Sequence, residues 1–318
     1  MTIKTLFAAC LLFLSVPVYA IQGYVDVNTG APGCSAAVPD DAIDDYTAIQ
    51  CAIDYLDTTY GGGILLFGAG TYTTLTTLQV NGSTLLMGTG PGTTVLNTNN
   101  TDVGVIQFNG DAGGLPDWYA GLRRISIIGP QSTSSTSAVV RVSPKVKVTI
   151  DEFNIWGGKY ALFMDGVDGH ISNGTIAAMA SSGISLYSRG ANWYHRVKFN
   201  PYAGQTLQQF YYLASWTAWG WSGIQEEHFV HCDFTGNTTS GYPISIVANT
   251  GIVTMVGSVI GGHTSVSTAT AILFSGMEFG GNIVSNSRIA ITASYGVNGT
   301  TVSGQGARSC AGNIAIGC

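Results

Sequence analysis

From about residue 120 onward, short β-type runs recur at irregular intervals of about 20 to 35 residues, and they can be laid over one another in phase. With Ile127, Ile155, Ile176, Phe199, Phe234 and Ile260 as equivalent positions, the residues two earlier are Ile125, Phe153, Gly174, Val197, Cys232 and Ser258. Both columns are mostly apolar or small, as inward-facing strand positions should be. One position before each anchor stand Ser126, Asn154, Thr175, Lys198, Asp233 and Val259. Three before stand Arg124, Glu152, Asn173, Arg196, His231 and Gly257. These two columns read as outward-facing strand positions. A phase that holds across separate runs predicts an all-β chain, a right-handed parallel β-helix of stacked strands. An antiparallel sandwich or barrel remains the alternative, although it gives the phase no reason to hold.

Ahead of these runs lies the one stretch with helical spacing. Ile43, Tyr46, Ile49, Ile53 and Leu56 recur every three or four residues, which predicts a helix over about 41–60 that caps the open end of the coil. Asp40, Asp41, Asp44 and Asp45 stand at its start, where carboxylates complement the helix dipole and can cap free amides. Gly61-Gly62-Gly63 ends it, and Ile64-Leu65-Leu66-Phe67 follows as a strand.

Residues 1–20 read as an export signal: Lys4, an apolar run from Leu6 to Val18, and a small-residue cleavage site at Val18-Tyr19-Ala20. An uncleaved anchor or a buried strand is the alternative. Residues 21–318 then form a single secreted domain. The cysteines agree with export, since Cys34 lies about one loop ahead of Cys51 and Cys310 about one loop ahead of Cys318, two local disulfides for an oxidising compartment. Cys232 is left as a buried free thiol. Only 9% of the 318 residues are charged and the net charge is −6, with no basic patch or tail. That excludes a nucleic-acid partner and, once the signal is removed, a membrane partner.

Two segments carry a family resemblance. The stretch Asp44-Asp45-Tyr46-Thr47-Ala48-Ile49-Gln50-Cys51-Ala52-Ile53-Asp54, followed by Gly61-Gly62-Gly63-Ile64-Leu65-Leu66-Phe67 and Gly70-Thr71-Tyr72, resembles the N-terminal signature of the pectate-lyase-like superfamily. Residues 78–96, with the turn Gly88-Thr89-Gly90-Pro91-Gly92-Thr93, resemble that family's next rung. The match covers about a fifth of the chain and departs from the pattern at Gly68-Ala69, where the family usually has proline. The resemblance implies a β-helix with a polysaccharide as ligand, acted on by hydrolysis or β-elimination in the members that are enzymes. It implies no chemistry for Asp44, Asp45 or Asp54, which belong to the capping helix.

Hydrolysis of a glycosidic bond needs two carboxyl groups, about 5 Å apart for retention or about 6.5 to 9.5 Å for inversion. Glu152 and Asp233 stand in the outward columns three rungs apart, about 14 Å at the usual strand spacing, which is too wide for a pair. Asp165 and Asp168 follow Glu152, and Glu226 and Glu227 precede Asp233, so loop acids are the better partners. Glu226, Glu227, His228, His231 and Asp233 form the densest titratable cluster and are the candidate catalytic group, with Glu152 as a further acid. A solvated strand edge is the alternative reading of the same residues. Elimination would need a cation or Ca²⁺ beside the sugar acid and a base to take the proton, for which Arg196 or Lys198 could serve, but no compact acidic cluster resembling a calcium site stands out, so hydrolase ranks ahead of lyase.

Between the Phe199 and Phe234 rungs lies the longest connection, with Tyr202, Phe210, Tyr211, Tyr212, Trp216, Trp219 and Trp221. Rings in such number suit the apolar faces of sugars. Tyr211, Tyr212, Trp216, Trp219 and Trp221, with Arg196 and Lys198, are therefore the candidate substrate-binding residues. A subunit contact, as a homotrimeric spike would need, is the alternative. Because Trp221 lies so close to Glu226, a glycan on this connection is expected to pass the acids. His170, His195 and His263 are isolated, so no metal or cofactor is expected. A non-catalytic adhesin or virion spike competes with the enzyme.

Overall fold

A computed structural model describes residues 23–109, 118–131, 137–143, 146–165, 168–178, 182–186, 190–200, 209–213, 225–234, 244–246, 250–256, 258–261, 266–268, 273–280, 283–285 and 314–316. The residues of the expected export signal, together with Trp216, Trp219, Trp221, Cys310 and Cys318, lie outside these. Two parallel sheets, one of 16 strands and one of eight, run along the chain and exchange at every turn of a coil. Each rung passes from the narrow sheet into the wide one and back, so strands pair with the next coil, as Trp118–Ile128 does with Val146–Trp156 and Ala138–Val142 with Tyr160–Met164. This is a parallel β-helix, right-handed as parallel crossovers are.

The expected register is the observed one. Ile127 pairs with Ile155, Ile155 with Ile176, Ile176 with Phe199, Phe199 with Phe234 and Phe234 with Ile260. The first five of these are fully buried. In the second inward column Ile125, Phe153, Gly174 and Val197 follow one another, and the Phe153 ring occupies the space that a side chain at Gly174 would need. Cys232 continues that column as a buried free thiol whose backbone N–H donates to Ser258 Oγ at 3.1 Å. Burial pushes this thiol up to about 12.

The column three residues before each anchor differs from its expected role. Arg124, Glu152, Asn173, Arg196 and His231 have φ of 55°, 49°, 54°, 54° and 54°, and the strand register passes over them. Each is a one-residue corner at which the strand bends sharply, rather than a position within a straight strand. Left-handed backbone costs a non-glycine residue about 1–2 kcal/mol, and only the asparagine at 173 is well suited to it. A corner residue points outward just as a strand residue of that parity does, so alternation does not distinguish the two.

The helix runs over Tyr46–Tyr60 and buries Ile49, Ala52, Ile53 and Leu56. This face packs against the strands Gly62–Leu66 and Leu78–Val80 of the first coils. The helix starts later than expected because the acids before it bind elsewhere. Asp40 Oδ1 accepts the Thr71 N–H at 2.8 Å, Asp45 accepts those of Val38 and Thr73, and Asp44 accepts those of Tyr46 and Leu75. The carboxylates tie the entry segment to the Gly70–Thr73 strand and its turn. At the far end Gly61, with φ 71°, closes the helix.

Cys34 and Cys51 form the expected disulfide, which joins the entry segment to the helix. Asp57, near the end of the helix, accepts the Thr84 hydroxyl at 2.8 Å and the Asn81 N–H at 2.9 Å. Burial holds the Asp57 carboxyl above its ordinary value of 3.8, against these hydrogen bonds, and burial raises Asp45 likewise. A carboxyl raised in the folded state contributes stability that is present below the unfolded value and lost as pH rises through the folded one. Asp57→Asn removes that titration. The melting temperature of the wild type, measured against this variant, is expected to decline over the window that opens at the ordinary carboxyl value of 3.8 and runs upward in pH. A constant difference across that window would refute the assignment.

Candidate functional site

The acid-rich strand Gln225–Val230 lies beside Gly190–Phe199, with Glu226 opposite Ala191, Glu227 opposite Asn192, His228 opposite Trp193 and Phe229 opposite Tyr194. Alternation then separates two neighbouring acids that were expected to work together. Glu227 shares its parity with Phe229 and points into the coil, where it is 1% exposed and accepts a hydrogen bond from Asn192 Nδ2 at 2.9 Å. A carboxyl in that position is out of reach of a polymer on the surface. Glu226 points outward with its side chain 39% exposed, and its Oε2 lies 3.4 Å from His228 Nε2. The His228 ring stacks on Trp193 at 3.8 Å and 15°, and Trp193 is 43% exposed. An exposed indole, an imidazole and a carboxylate thus meet on the outer face of the wide sheet.

The other candidate residues lie around this group at greater distances. His231 is a corner residue whose ring sits 6.1 Å from that of His195. Asp233 lies two residues beyond the corner, opposite Lys198. Glu152 occupies a corner three strands away, about 14 Å at the usual spacing, and pairs there with Arg124 at 3.3 Å. It is therefore not brought to the cluster. Arg196 and Lys198 are exposed, at the corner of Gly190–Phe199 and two residues beyond it.

The aromatic strand goes to the other sheet. Gln209–Leu213 pairs within the narrow sheet, whereas Gln225–Val230 pairs within the wide one, so Tyr211 and Tyr212 stand on a different sheet from the acids. Tyr212 holds the register position that runs through Gln107, Arg141, Phe163 and Ser185. Tyr211 holds the register position of the buried Val140 and Leu162.

Gln107, Arg141 and Phe163 of the narrow sheet line a cleft of about 370 Å³, together with Asp102 and Tyr160 among others. The Arg141 guanidinium lies 5.2 Å from the centre of the Phe163 ring, and the Tyr160 and Phe163 rings are 5.8 Å apart. Asp165 follows directly after the strand Tyr160–Met164. Burial raises its carboxyl above the ordinary value, and the charge of Arg141 offsets part of that. Neither this cleft nor Trp193 was a candidate from the sequence, because an isolated aromatic residue in a strand carries no signal until its neighbours across the sheet are known.

No protein-family model matches the chain, and no curated protein matches it. Solved structures do share its fold. Geobacillus virus E2 ORF18 is 17% identical with a TM-score of 0.55, over 84% of this chain and 56% of that one. The chain thus spans little more than half the length of the viral protein. Rice weevil pectin methyl esterase is 12% identical with a TM-score of 0.55, over 100% and 97% of the two chains. Escherichia coli YbhC is 14% identical with a TM-score of 0.53, over 90% of each.

Proposed function

We propose that this parallel β-helix is an extracellular protein that binds a polysaccharide and hydrolyses it on the outer face of the wide sheet. The carrying observation is the stack of Trp193 on His228 with the Glu226 carboxylate beside it. An exposed indole offers a sugar an apolar face, and an outward carboxyl beside an imidazole can move a proton to a leaving oxygen. Arg196, Lys198, His231 and Asp233 flank the group and would line the path of a bound polymer. The Cys34–Cys51 disulfide suits an oxidising compartment. Among the described residues no helix is long and apolar enough to cross a membrane. One structure that shares the fold is named for its action on a polysaccharide, pectin.

The test is incubation with polygalacturonate, xylan, hyaluronan and dextran. Reducing ends are measured together with the absorbance of unsaturated sugars. New reducing ends without that absorbance are expected. Glu226→Gln should lower turnover by about 10²-fold or more with binding little changed, and Trp193→Ala should weaken binding. Unsaturated products would replace hydrolysis with elimination.

A second reading, a glycan-binding protein without catalysis, is favoured by the narrow-sheet cleft. Tyr160, Phe163 and Arg141 there suit the holding of a sugar. Binding that survives Trp193→Ala but not Phe163→Ala, with no new reducing ends from any polymer, would establish it.

A further inference from the structure

We infer that Asp168 is the second catalytic carboxyl, and that with Glu226 it hydrolyses the glycosidic bond with inversion at the anomeric carbon. The inference rests on the hydrolase reading above and adds to it a residue and a stereochemical outcome. Gly169 pairs with Asn192 and Asn192 with Glu227, so one position earlier Asp168, Ala191 and Glu226 form a row across three neighbouring strands. Asp168 stands just ahead of its strand and is fixed in that row by a hydrogen bond, its Oδ1 accepting the Ala191 N–H at 3.0 Å. Two strand spacings put the backbones that carry the acids about 9.6 Å apart. The bond to the Ala191 N–H draws the Asp168 carboxyl from its own strand toward the middle one, which favours a separation between the carboxyls below that backbone distance, in the range of about 6.5–9.5 Å that leaves room for a water rather than the roughly 5 Å of retaining pairs.

The ground between the two acids is low. Ala191 contributes a single methyl group, so the two longer side chains stand on either side of a shallow floor. Two residues along the same strand, on the same face and about 6.7 Å away, Trp193 forms a wall. Among the described residues this is the place where two carboxyls share a row with an exposed indole next to them.

The chemistry balances with water as co-reactant. Glu226 gives its proton to the glycosidic oxygen as the bond from that oxygen to the anomeric carbon breaks. Asp168 takes a proton from a water whose oxygen bonds to the same carbon from the opposite face. After turnover Glu226 has lost a proton and Asp168 has gained one. His228, with Nε2 3.4 Å from Glu226, can restore the first, and solvent receives the second.

The experiment uses whichever of polygalacturonate, xylan, hyaluronan and dextran the wild type shortens, and follows the first-formed anomer by proton NMR. The inverted anomer is expected. Asp168→Asn, which keeps an oxygen for the Ala191 N–H, should lose about 10²-fold or more in turnover while binding stays within a few-fold. Added azide should restore bond cleavage in this variant and yield the inverted glycosyl azide, which a merely structural role for Asp168 would not produce. A retained anomer overturns the inference. So does near-normal turnover by Asp168→Asn where Glu226→Gln is inactive, and in that case the hydrolase reading still stands. Absence of new reducing ends from all four polymers overturns both.

Discussion

Phe199→Ala is expected to cost about 3–5 kcal/mol of stability, read as a lowered midpoint of urea unfolding with an unchanged slope. The Phe199 side chain is fully buried and stacks on Phe234 with ring centres 4.5 Å apart and planes within 8°. Tyr194 meets Phe199 edge-on at 6.4 Å and stacks on Phe229 at 4.8 Å, and Phe229 meets Phe234 at 5.5 Å. Four rings from two coils thus form one interior cluster. Strands with hydrogen-bonded neighbours on both sides cannot move inward to fill a vacated ring, so most of the cavity should persist. This cluster also lies under the strands that carry Trp193 and Glu226, and loosening it should blunt the outer face. A loss below about 1 kcal/mol would mean that the coil collapses around the missing ring, contrary to a rigid ladder.

Breaking the Cys34–Cys51 disulfide is expected to cost about 3 kcal/mol, since it closes a loop across a sequence separation of 17. The loss should fall on the entry segment and the helix, which the bond joins. Cys51→Ser should then lower the midpoint by that amount, and reduction of the wild type should lower it at least as far, since it also opens the Cys310–Cys318 bond expected from the sequence. Cys232 should not complicate the comparison, because its buried thiol is held up to about 12 and a thiol so rarely ionised exchanges slowly. Equal stability of the oxidised and reduced proteins would show that the bond is incidental to the fold.

Much of the architecture was legible because strand alternation carries over from coil to coil. The inward columns through Ile127 and Ile125, the helix pattern and the Cys34–Cys51 pair each rest on spacing, and spacing is what a chain displays. The corners at Arg124, Glu152, Asn173, Arg196 and His231 were not legible as corners, since they have the same parity as outward strand residues. The inward turn of Glu227 was hidden for a different reason. Acids are seldom fully buried without a partner, and the partner, Asn192, is contributed by another coil. The same limit concealed Trp193, and it left Asp168 as one loop acid among several until the strands on either side were known. Proximity along the chain was the misleading guide: Tyr212 and Glu226 are close in sequence, yet one lies in the narrow sheet and the other in the wide sheet.

The single-residue corners also govern how such a chain can lengthen or shorten in evolution. Each corner is a single residue with φ near 50°, so an inserted residue there would invert the facing of the rest of that strand. Insertions and deletions must therefore collect in the connections between sheets, where the intervals between successive corners already differ. A deletion measured from corner to corner is another matter. Removing residues 152–172 would join Asp151 to Asn173, replacing one corner with another of nearly the same backbone conformation and taking out one whole coil with its phase preserved. The coil is in that sense a heritable unit of length, one that duplication or loss can count in whole numbers.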